Sequence, residues 1–372
     1  MKKKILLEIN HLENLDTIVL SGFGHVGLDY IGNLFDNNNE ILRIPPLSFF
    51  RKVILLKKFF KIDLNKIDNQ EQIFKIVNSK ILTKGNLKSY NFFKNNYQKK
   101  KFRIYFYQFF KISKEREKLK KILFAIHYGI SKLNGINILN KKYIFLQEDR
   151  ANHCYNYLKK KAKFIFVIRD PRATFSGSYK SQRLHKLHKT YGFDRVLGNW
   201  LTAYEFVKSL KKKDLFILQN EKFQGKINLK RELNKLCKWL NVSYSKNLEK
   251  PTHFGAIVYG ESSYLGKYEQ KKKLPKDYYD LKNIKKRWKK NLKKEEIVDI
   301  EMMLHGSMKK FRYKPENNIT IKKLLKSYIR IMFYYKENKS FPKNVYYTLK
   351  NIIRRNLILI NANWAAKIID LD

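Results

Sequence analysis

Two short apolar runs constrain the fold of this chain more than any other sequence feature. Residues 17–20 read TIVL and lead into a glycine-rich turn, and residues 164–168 read FIFVI and lead into RDP. Continuous β-branched and aromatic runs of this length, each followed by a helix-like segment, are typical of buried parallel strands. Weaker runs of the same kind lie at residues 143–146 and 215–218. Strands that alternate with helices predict an α/β fold with a parallel central sheet and flanking helices.

The segments between and after these runs are predicted to be helical. Residues from about 45 to 140 are rich in Phe, Tyr and Lys and form a basic helical insertion, whose aromatic residues suit core packing better than an acceptor cleft. Amphipathic spacing predicts helices over residues 226–241 and about 293–308. Residues 318–372 alternate Lys or Arg with apolar residues and form a helical tail.

The charge of the chain is strongly positive. Its 372 residues include 80 Lys and Arg against 32 Asp and Glu, which gives a formal net charge of +48. Such a chain attracts polyanions, among them nucleic acid, anionic lipid headgroups, phosphorylated cofactors and acidic glycans. Lysine is accompanied by abundant Asn, Ile, Tyr and Phe, a mixture expected from an A/T-rich coding sequence, so the charge alone specifies no partner. The absence of zinc-finger spacing or an RNA-recognition motif disfavours a nucleic-acid-binding protein.

Domain organisation and location follow from what the sequence lacks. No Gly/Ser-rich or Pro-rich linker is present, so we expect one domain over residues 1–315 and a basic helical extension over residues 316–372. Cys154 and Cys237 are the only cysteines, which disfavours a disulfide or a metal site and fits a reducing compartment. Without a signal peptide or a long apolar run, we expect a soluble cytoplasmic protein. The extension is compatible with a packed helical appendage or with peripheral contact with an anionic membrane.

The segment after the first predicted strand has the composition of a phosphate loop. Residues 21–29 read SGFGHVGLD and precede a helix-like stretch. A strand, a glycine turn and a helix point free backbone N–H groups at an anion, and Gly22, Gly24 and Gly27 permit close approach. The alternative is a plain turn between strand and helix. The segment is not a Walker motif, because no Gly-Lys-Ser/Thr closes it.

A second polar segment, residues 169–179, follows the other strong strand and reads RDPRATFSGSY. Arg169 is predicted at the carboxyl end of a central strand, where ligands bind in open α/β sheets. Its planar guanidinium suits a phosphate, and nearby hydroxyl groups can complete the oxygen shell. The alternative is an arginine that pairs with Asp170 at a helix start, and this interpretation suits Arg172 better than Arg169.

These two segments, in this order and at this separation, resemble those of the sulfotransferases that use 3′-phosphoadenosine 5′-phosphosulfate (PAPS). Weaker similarities follow in the family's order at residues 34–41, 147–153, 200–204, 220–223, 236–242, 251–255, 259–263, 287–288 and 311–313. The resemblance covers residues 17 to about 315. It implies a P-loop-like sulfotransferase fold and transfer of a sulfuryl group from PAPS to a hydroxyl, by default that of a glycan or glycolipid.

The resemblance also implies site residues and requires no metal. The 5′-phosphosulfate of PAPS would be held by Gly22, Gly24, His25, Val26, Gly27 and Leu28. Its 3′-phosphate would be held by Arg169 with Ser176 or Ser178. After transfer, the product adenosine 3′,5′-bisphosphate (PAP) would occupy the same site.

The chain departs from the family's pattern in the loop. His25, Val26, Leu28 and Asp29 stand where the family usually has Lys or Arg followed by Ser-Gly-Thr-Thr/Ser. Backbone N–H groups would then do most of the binding, with His25 able to donate to the bridging oxygen when protonated. A carboxylate near a phosphate is costly, so we expect Asp29 to point away as a helix cap.

The catalytic base is a second departure. Many relatives carry a catalytic Glu shortly after the first helix, where this chain has prolines at positions 45 and 46. The candidates are Glu148, Asp149 and His153, just past the strand predicted at residues 143–146. In the alternative interpretation, the two carboxylates cap the next helix and His153 is structural. A chain that has lost the chemistry and only binds a nucleotide or glycan is also compatible with the sequence.

Overall fold

A five-stranded parallel sheet forms the centre of the computed structural model. The structure describes residues 2–22, 24, 26–36, 38–44, 47–82, 93, 95–148, 151–158, 162–184, 189–253, 255–259, 269–271, 287–332, 352–353 and 356. The sheet has the order β2-β3-β1-β4-β5. Its strands are β1 (Asp16–Gly22), β2 (Ile41–Arg43), β3 (Tyr143–Gln147), β4 (Ala162–Ile168) and β5 (Leu215–Gln219). The predicted α/β fold with a parallel central sheet is confirmed, and all four predicted strands are present. The sequence did not predict β2, because three residues are too few to show a periodic pattern.

Helices cover both faces of this sheet. They are α1 (Lys2–Asn14), α2 (Leu28–Leu34), α3 (Phe49–Phe60), α4 (Gln70–Ile76), α5 (Asn96–Ile112), α6 (Lys118–Leu133), α7 (Asn152–Leu158), α8 (Pro171–Leu184), α9 (Lys189–Ser209), α10 (Lys226–Leu240), α11 (Lys294–Met303), α12 (His305–Lys310) and α13 (Ile321–Met332). A π-helical turn, Val77–Ile81, continues α4. In the part of the chain that is described, no helix is both long and apolar enough to cross a bilayer.

The helix predicted over residues 226–241 is confirmed as α10, but the one predicted at 293–308 is wrong as a single helix. The backbone leaves helical geometry at Leu304, with φ −105° and ψ 11°. This residue separates α11 from α12. The Leu304 carbonyl accepts both the Met308 N–H at 2.8 Å and the Ser307 hydroxyl at 2.9 Å, and such a second bond from a serine side chain bends a helix. Gly306 lowers the helix propensity of the same turn.

A small antiparallel sheet packs beside α2. It contains β6 (Thr252–His253), β7 (Ala256–Tyr259) and β8 (Glu269–Lys271). Thr252 Oγ1 and the Gly255 N–H both donate to Asp36 Oδ2, at 3.1 and 2.9 Å. The sequence did not predict these strands, because two to four residues show no alternation on which a prediction could rest.

Two apolar cores lie on opposite faces of the central sheet. The first joins α1 and the helices between residues 49 and 133 to Val19, Ile144 and Leu146. The second joins α2 and α8–α11 to Ile18 and Leu20. The aromatic residues of the helical insertion are mostly buried in the first core, including Phe49, Phe50, Phe102, Phe106 and Phe109. Core packing therefore explains them, and the insertion shares a core with the sheet.

Candidate functional site

The two predicted phosphate-binding segments leave the sheet side by side. β1 and β4 are neighbouring parallel strands, and their pairing continues to Gly22 opposite Val167. Arg169 follows two residues beyond Val167, and the glycine loop follows Gly22 directly. Neighbouring strands are about 4.8 Å apart, so both segments emerge at the same carboxyl edge, where open α/β sheets bind ligands.

Two glycines of the first loop are required by the geometry. The backbone of Gly27 has φ +86°, a left-handed conformation that favours glycine. A Cβ at this position would also overlap the side-chain amide of Asn220. A Cβ at Gly22 would overlap the carbonyl oxygen of Val167, so this glycine permits close approach of β1 and β4. Gly24 is exposed and Leu28 is partly exposed, whereas Val26 is fully buried. His25 lies outside the described residues.

Asp29 does not cap helix α2, so that prediction is wrong. The N-cap of α2 is Gly27, without a side-chain cap hydrogen bond, and Asp29 lies within the first turn. Gln147, the last residue of β3, instead donates from Nε2 to Asp29 Oδ1 at 2.6 Å. The carboxylate is therefore held beside the neighbouring strand. Its position in the first turn also places it near the positive end of the helix dipole.

Arg172 is a structural residue. Its guanidinium donates to Asp170 at 2.9 and 2.6 Å and to Glu301 Oε1 at 2.6 Å, and it lies 4.4 Å from the ring centroid of Trp288. Arg172 and Glu301 are both buried. The pairing with Asp170 that the sequence suggested is therefore present. Because these contacts engage the Arg172 guanidinium, Arg169 is the candidate for binding a phosphate at the sheet edge.

A short 3₁₀ helix after β5, Asn220–Phe223, ties the two segments together; we call it the 220–223 turn. Asn220 Nδ2 donates to the carbonyl of Val26 in the first loop. Glu221 Oε1 accepts from the backbone N–H of Asp170, next to Arg169, at 2.7 Å. The hydroxyl of Tyr30 in α2 donates to the Phe223 carbonyl at 3.1 Å. One turn therefore fixes the relative position of both predicted phosphate-binding segments.

Sequence reasoning missed this role, although the signal was present. The 220–223 turn was noted only as a weak family similarity. Its first three residues are polar and directly follow β5, just as residues 169–172 directly follow β4. Three polar strand ends on neighbouring strands meet at one edge of a parallel sheet, and this rule alone would have placed the turn at the site.

The electrostatic environment of Arg169 includes the partly buried carboxyl of Glu221. Burial raises the pKa of Glu221 above its ordinary value, while the hydrogen bond from Asp170, the Tyr313 hydroxyl and the charge of Arg169 oppose this rise. Tyr313 donates to Glu221 Oε2 at 3.0 Å. Burial is also the main cause that raises the pKa of Tyr313, and the carboxylate of Glu221 adds to it. Arg169 therefore lies beside a carboxyl group whose two oxygens accept hydrogen bonds from the Asp170 N–H and the Tyr313 hydroxyl.

The two serines predicted beside Arg169 lie on α8 and are both buried. Ser176 Oγ accepts from Asn291 Nδ2 at 3.0 Å, which turns this side chain toward the segment before α11. Residues two apart on a helix are about 200° apart around its axis. Ser176 and Ser178 therefore face different directions, and one of them at most can share a ligand with Arg169.

The proposed base candidates lie past the end of β3. Glu148 is 1% exposed; its Oε1 accepts from the Phe50 N–H at 3.0 Å and its own N–H donates to Leu20 O at 2.9 Å. Glu148 therefore caps the first turn of α3, not the next helix as the alternative interpretation had it. Its charge adds to burial in raising the pKa of the Cys154 thiol. His153 is a partly buried residue of α7, and Asp149 lies outside the described residues.

An open cavity adjoins the Glu221 side of the site. It has a volume of about 380 Å³ and is lined by His305, Met308, Lys309, Arg312, Tyr313, Lys314 and Pro315. Tyr313 links it to the 220–223 turn through its hydrogen bond to Glu221. The lining includes the basic side chains Lys309, Arg312 and Lys314, which give this cavity a positive charge.

Comparisons with known proteins find similarity among solved structures. No protein-family model and no curated protein matches the chain. The sulfotransferase domain from the curacin biosynthetic pathway is 12% identical with a TM-score of 0.44, covering 81% of this chain and 98% of that one. The sulfotransferase domain from the Synechococcus PCC 7002 olefin synthase is 9% identical with a TM-score of 0.41, covering 87% and 96%. Sulfotransferase STF9 from Mycobacterium avium is 11% identical with a TM-score of 0.39, covering 85% and 82%. At identities this low, the similarity assigns no function.

Proposed function

We propose that the chain is a sulfotransferase that transfers a sulfuryl group from PAPS to an acceptor hydroxyl. The observation that carries the proposal is the arrangement at the sheet edge. The glycine loop after β1 and Arg169 after β4 lie on neighbouring strands, and the 220–223 turn is bonded to both. Two anion-binding segments at a fixed separation suit a ligand with two separated phosphate groups.

The residues of the site fit a doubly phosphorylated nucleotide. Gly24 is exposed and Gly27 turns the backbone without a side chain, so backbone N–H groups around residues 24–28 can approach a 5′-phosphate. Arg169 offers a planar fork to the 3′-phosphate. Asp29 is the opposing feature, and the hydrogen bond from Gln147 holds its carboxylate beside β3.

In this proposal the protein contributes orientation and charge stabilisation. During transfer, the bond from sulfur to the 5′-phosphate oxygen breaks, a bond to the acceptor oxygen forms, and the acceptor proton passes to a base. The loop N–H groups and His25 would stabilise the charge that the departing phosphate gains. Arg169, with Ser176 or Ser178, would fix the nucleotide at its other end. We assign the proton to His153 ahead of Glu148, because Glu148 is buried and already caps α3.

For the acceptor we propose a hydroxyl of a glycan or glycolipid, which is the class that the family resemblance implies. The test is transfer of labelled sulfate from PAPS to a panel of glycans and glycolipids, with a phenol and a simple alcohol as other acceptor classes. Transfer to the phenol alone would contradict the acceptor class and leave the sulfotransferase proposal standing.

Nucleotide binding is tested by isothermal titration of PAP into the wild-type protein and Arg169→Ala. Loss of one bidentate arginine–phosphate pair should weaken binding by about 10–100-fold, since hydrogen bonds to charged groups are worth roughly 1.5–3 kcal/mol. The matched control is Arg231→Ala on α10, an exposed arginine paired with Glu232, which should bind like the wild type. No binding of PAP by the wild-type protein, or equal binding by both variants, would contradict the proposal.

A specific observation favours a second candidate function, a protein that binds the nucleotide without transferring sulfate. The buried Glu148 is engaged in capping α3, so the one candidate carboxylate among the described residues already has a structural role. Binding of PAP with no transfer to any acceptor would favour this candidate. Salt-sensitive binding to arbitrary DNA, with no preference for PAP, would instead favour a nucleic-acid-binding protein.

A further inference from the structure

Helix α13 is attached to the body of the protein along one narrow side. Ser327 and Ile331 are buried, and α13 packs against α11. Arg330 donates to Asp299 Oδ1 at 2.5 Å, which fixes the helix in place by a partly buried ion pair. The position of α13 on the protein is therefore defined.

A second side of the same helix presents an apolar stripe to solvent. Ile321 is 86% exposed, Leu325 is 57% exposed and Ile329 is 49% exposed, and Leu324 and Tyr328 are also exposed. Their spacing of three and four residues places all five on one side of the helix. The stripe from Ile321 to Ile329 runs along about 12 Å, since each helical residue rises about 1.5 Å. Asn356 accepts a hydrogen bond from the Tyr328 hydroxyl at the edge of the stripe and contacts the sulfur of Met332, and Tyr328 keeps an exposed fraction of 36%.

The border of the stripe is cationic. Lys322, Lys323 and Lys326 lie on the remaining side of α13, and no acidic residue occurs within Ile321–Met332. The acidic residues of the neighbouring α11 are mostly engaged. Asp299 pairs with Arg330, and Glu296 accepts from the Lys293 N–H at 2.8 Å. Glu295 remains an exposed acidic residue of α11.

We infer that α13 is a docking surface for a membrane leaflet that carries anionic headgroups. A helix with an apolar stripe bordered by lysines lies in the plane of the membrane, with the stripe among the acyl chains and the lysines at the headgroups. Twelve residues are too few to span a bilayer, so the helix lies on the surface. A second copy of the chain is a poor occupant, because each copy carries a net charge of +48 and the two repel. This inference is independent of the proposed function.

The test is flotation of the full chain with vesicles of equal parts phosphatidylserine and phosphatidylcholine. A chain this basic binds such vesicles by charge alone, so the informative fraction is the one that persists in high salt, where charge interactions are screened. The test variant is Ile321→Gln with Leu325→Gln, which removes two exposed apolar side chains. The matched control is Ile227→Gln on α10, an isoleucine that is 85% exposed on another helix.

We expect the salt-resistant fraction to fall at least tenfold in the double variant and to stay unchanged in Ile227→Gln. Equal melting temperatures of the three proteins would show that the loss is not due to unfolding. Salt-resistant binding that survives in the double variant, or that Ile227→Gln removes equally, would overturn the inference. A wild-type dimer that the double variant converts to a monomer, with no change in flotation, would also overturn it and assign the stripe to a second copy.

Discussion

The contact between Gly27 and Asn220 gives a stability prediction whose size follows from the structure. Replacing Gly27 by alanine puts a Cβ on a residue with φ +86°, and a left-handed conformation costs a non-glycine residue about 1–2 kcal/mol. The Cβ also overlaps the Asn220 amide, which must then release the Val26 carbonyl. Loss of a buried hydrogen bond costs a further ~1–3 kcal/mol. Gly27→Ala should therefore lower the free energy of unfolding by about 2–5 kcal/mol.

Gly135 provides the matched control. It also has a left-handed backbone, with φ +64°, but no atom lies within 4 Å of the position that a Cβ would take. Gly135→Ala should therefore show only the backbone cost of about 1–2 kcal/mol. Urea unfolding of both variants measures the difference between them. If Gly27→Ala costs no more than Gly135→Ala, the contact with Asn220 is not as described.

A double-mutant cycle tests the same contact directly. Asn220→Ala removes the amide that the new Cβ would displace, so the combined Gly27→Ala and Asn220→Ala variant should lose less than the sum of the two single losses. We expect a coupling of at least about 1 kcal/mol, well above the ~0.5 kcal/mol within which independent sites add. Additive losses would refute the claim that the 220–223 turn holds the first loop through this residue.

Three further predictions concern other parts of the fold. Burial lowers the pKa of His127 from 6.5 to about 4, so the folded protein should lose stability as pH falls from about 6.5 to 4, when the unfolded chain takes up the proton. At about 1.36 kcal/mol per pKa unit, this loss of stability approaches ~3 kcal/mol. The His127→Gln variant should lack this loss. The measurement is the free energy of unfolding of the two proteins across this pH range. Arg172→Met should destabilise the protein by about 3–5 kcal/mol in urea unfolding, because it leaves Glu301 as a buried charge without its cation. The double variant that also carries Glu301→Gln should lose less stability than the sum of the two single losses. Asp29→Asn should strengthen PAP binding in calorimetry, because it removes a negative charge beside the loop and keeps an acceptor for the Gln147 amide. Weaker binding would contradict the position assigned to the ligand.

The sequence predicted those parts of the fold that depend on local pattern. Apolar runs at residues 17–20 and 164–168 were long enough to indicate buried strands, and the polar segments that follow them lie at the same sheet edge, as expected for parallel strands. The three-residue β2 and the small antiparallel sheet were not predictable, because strands this short show no periodic pattern.

Side-chain partners distant in the sequence were also beyond its reach. Asp29 was expected to cap α2, but its partner is Gln147, which lies 118 positions away in the sequence. Glu148 was expected to act as a base or to cap the following helix; its carboxylate caps α3, about 100 residues earlier in the chain, and its role as a base stays a prediction. Local patterns indicate which residues can form hydrogen bonds, and the packing of distant elements decides which ones they form.

A crystal structure of the protein with PAP bound would test the central claim most directly. We predict one phosphate against the backbone N–H groups of residues 24–28 and the other within hydrogen-bond distance of the Arg169 guanidinium, with the 220–223 turn between β5 and both segments. A nucleotide bound elsewhere, for example in the cavity lined by Lys309 and Arg312, with neither phosphate near Arg169, would contradict the account.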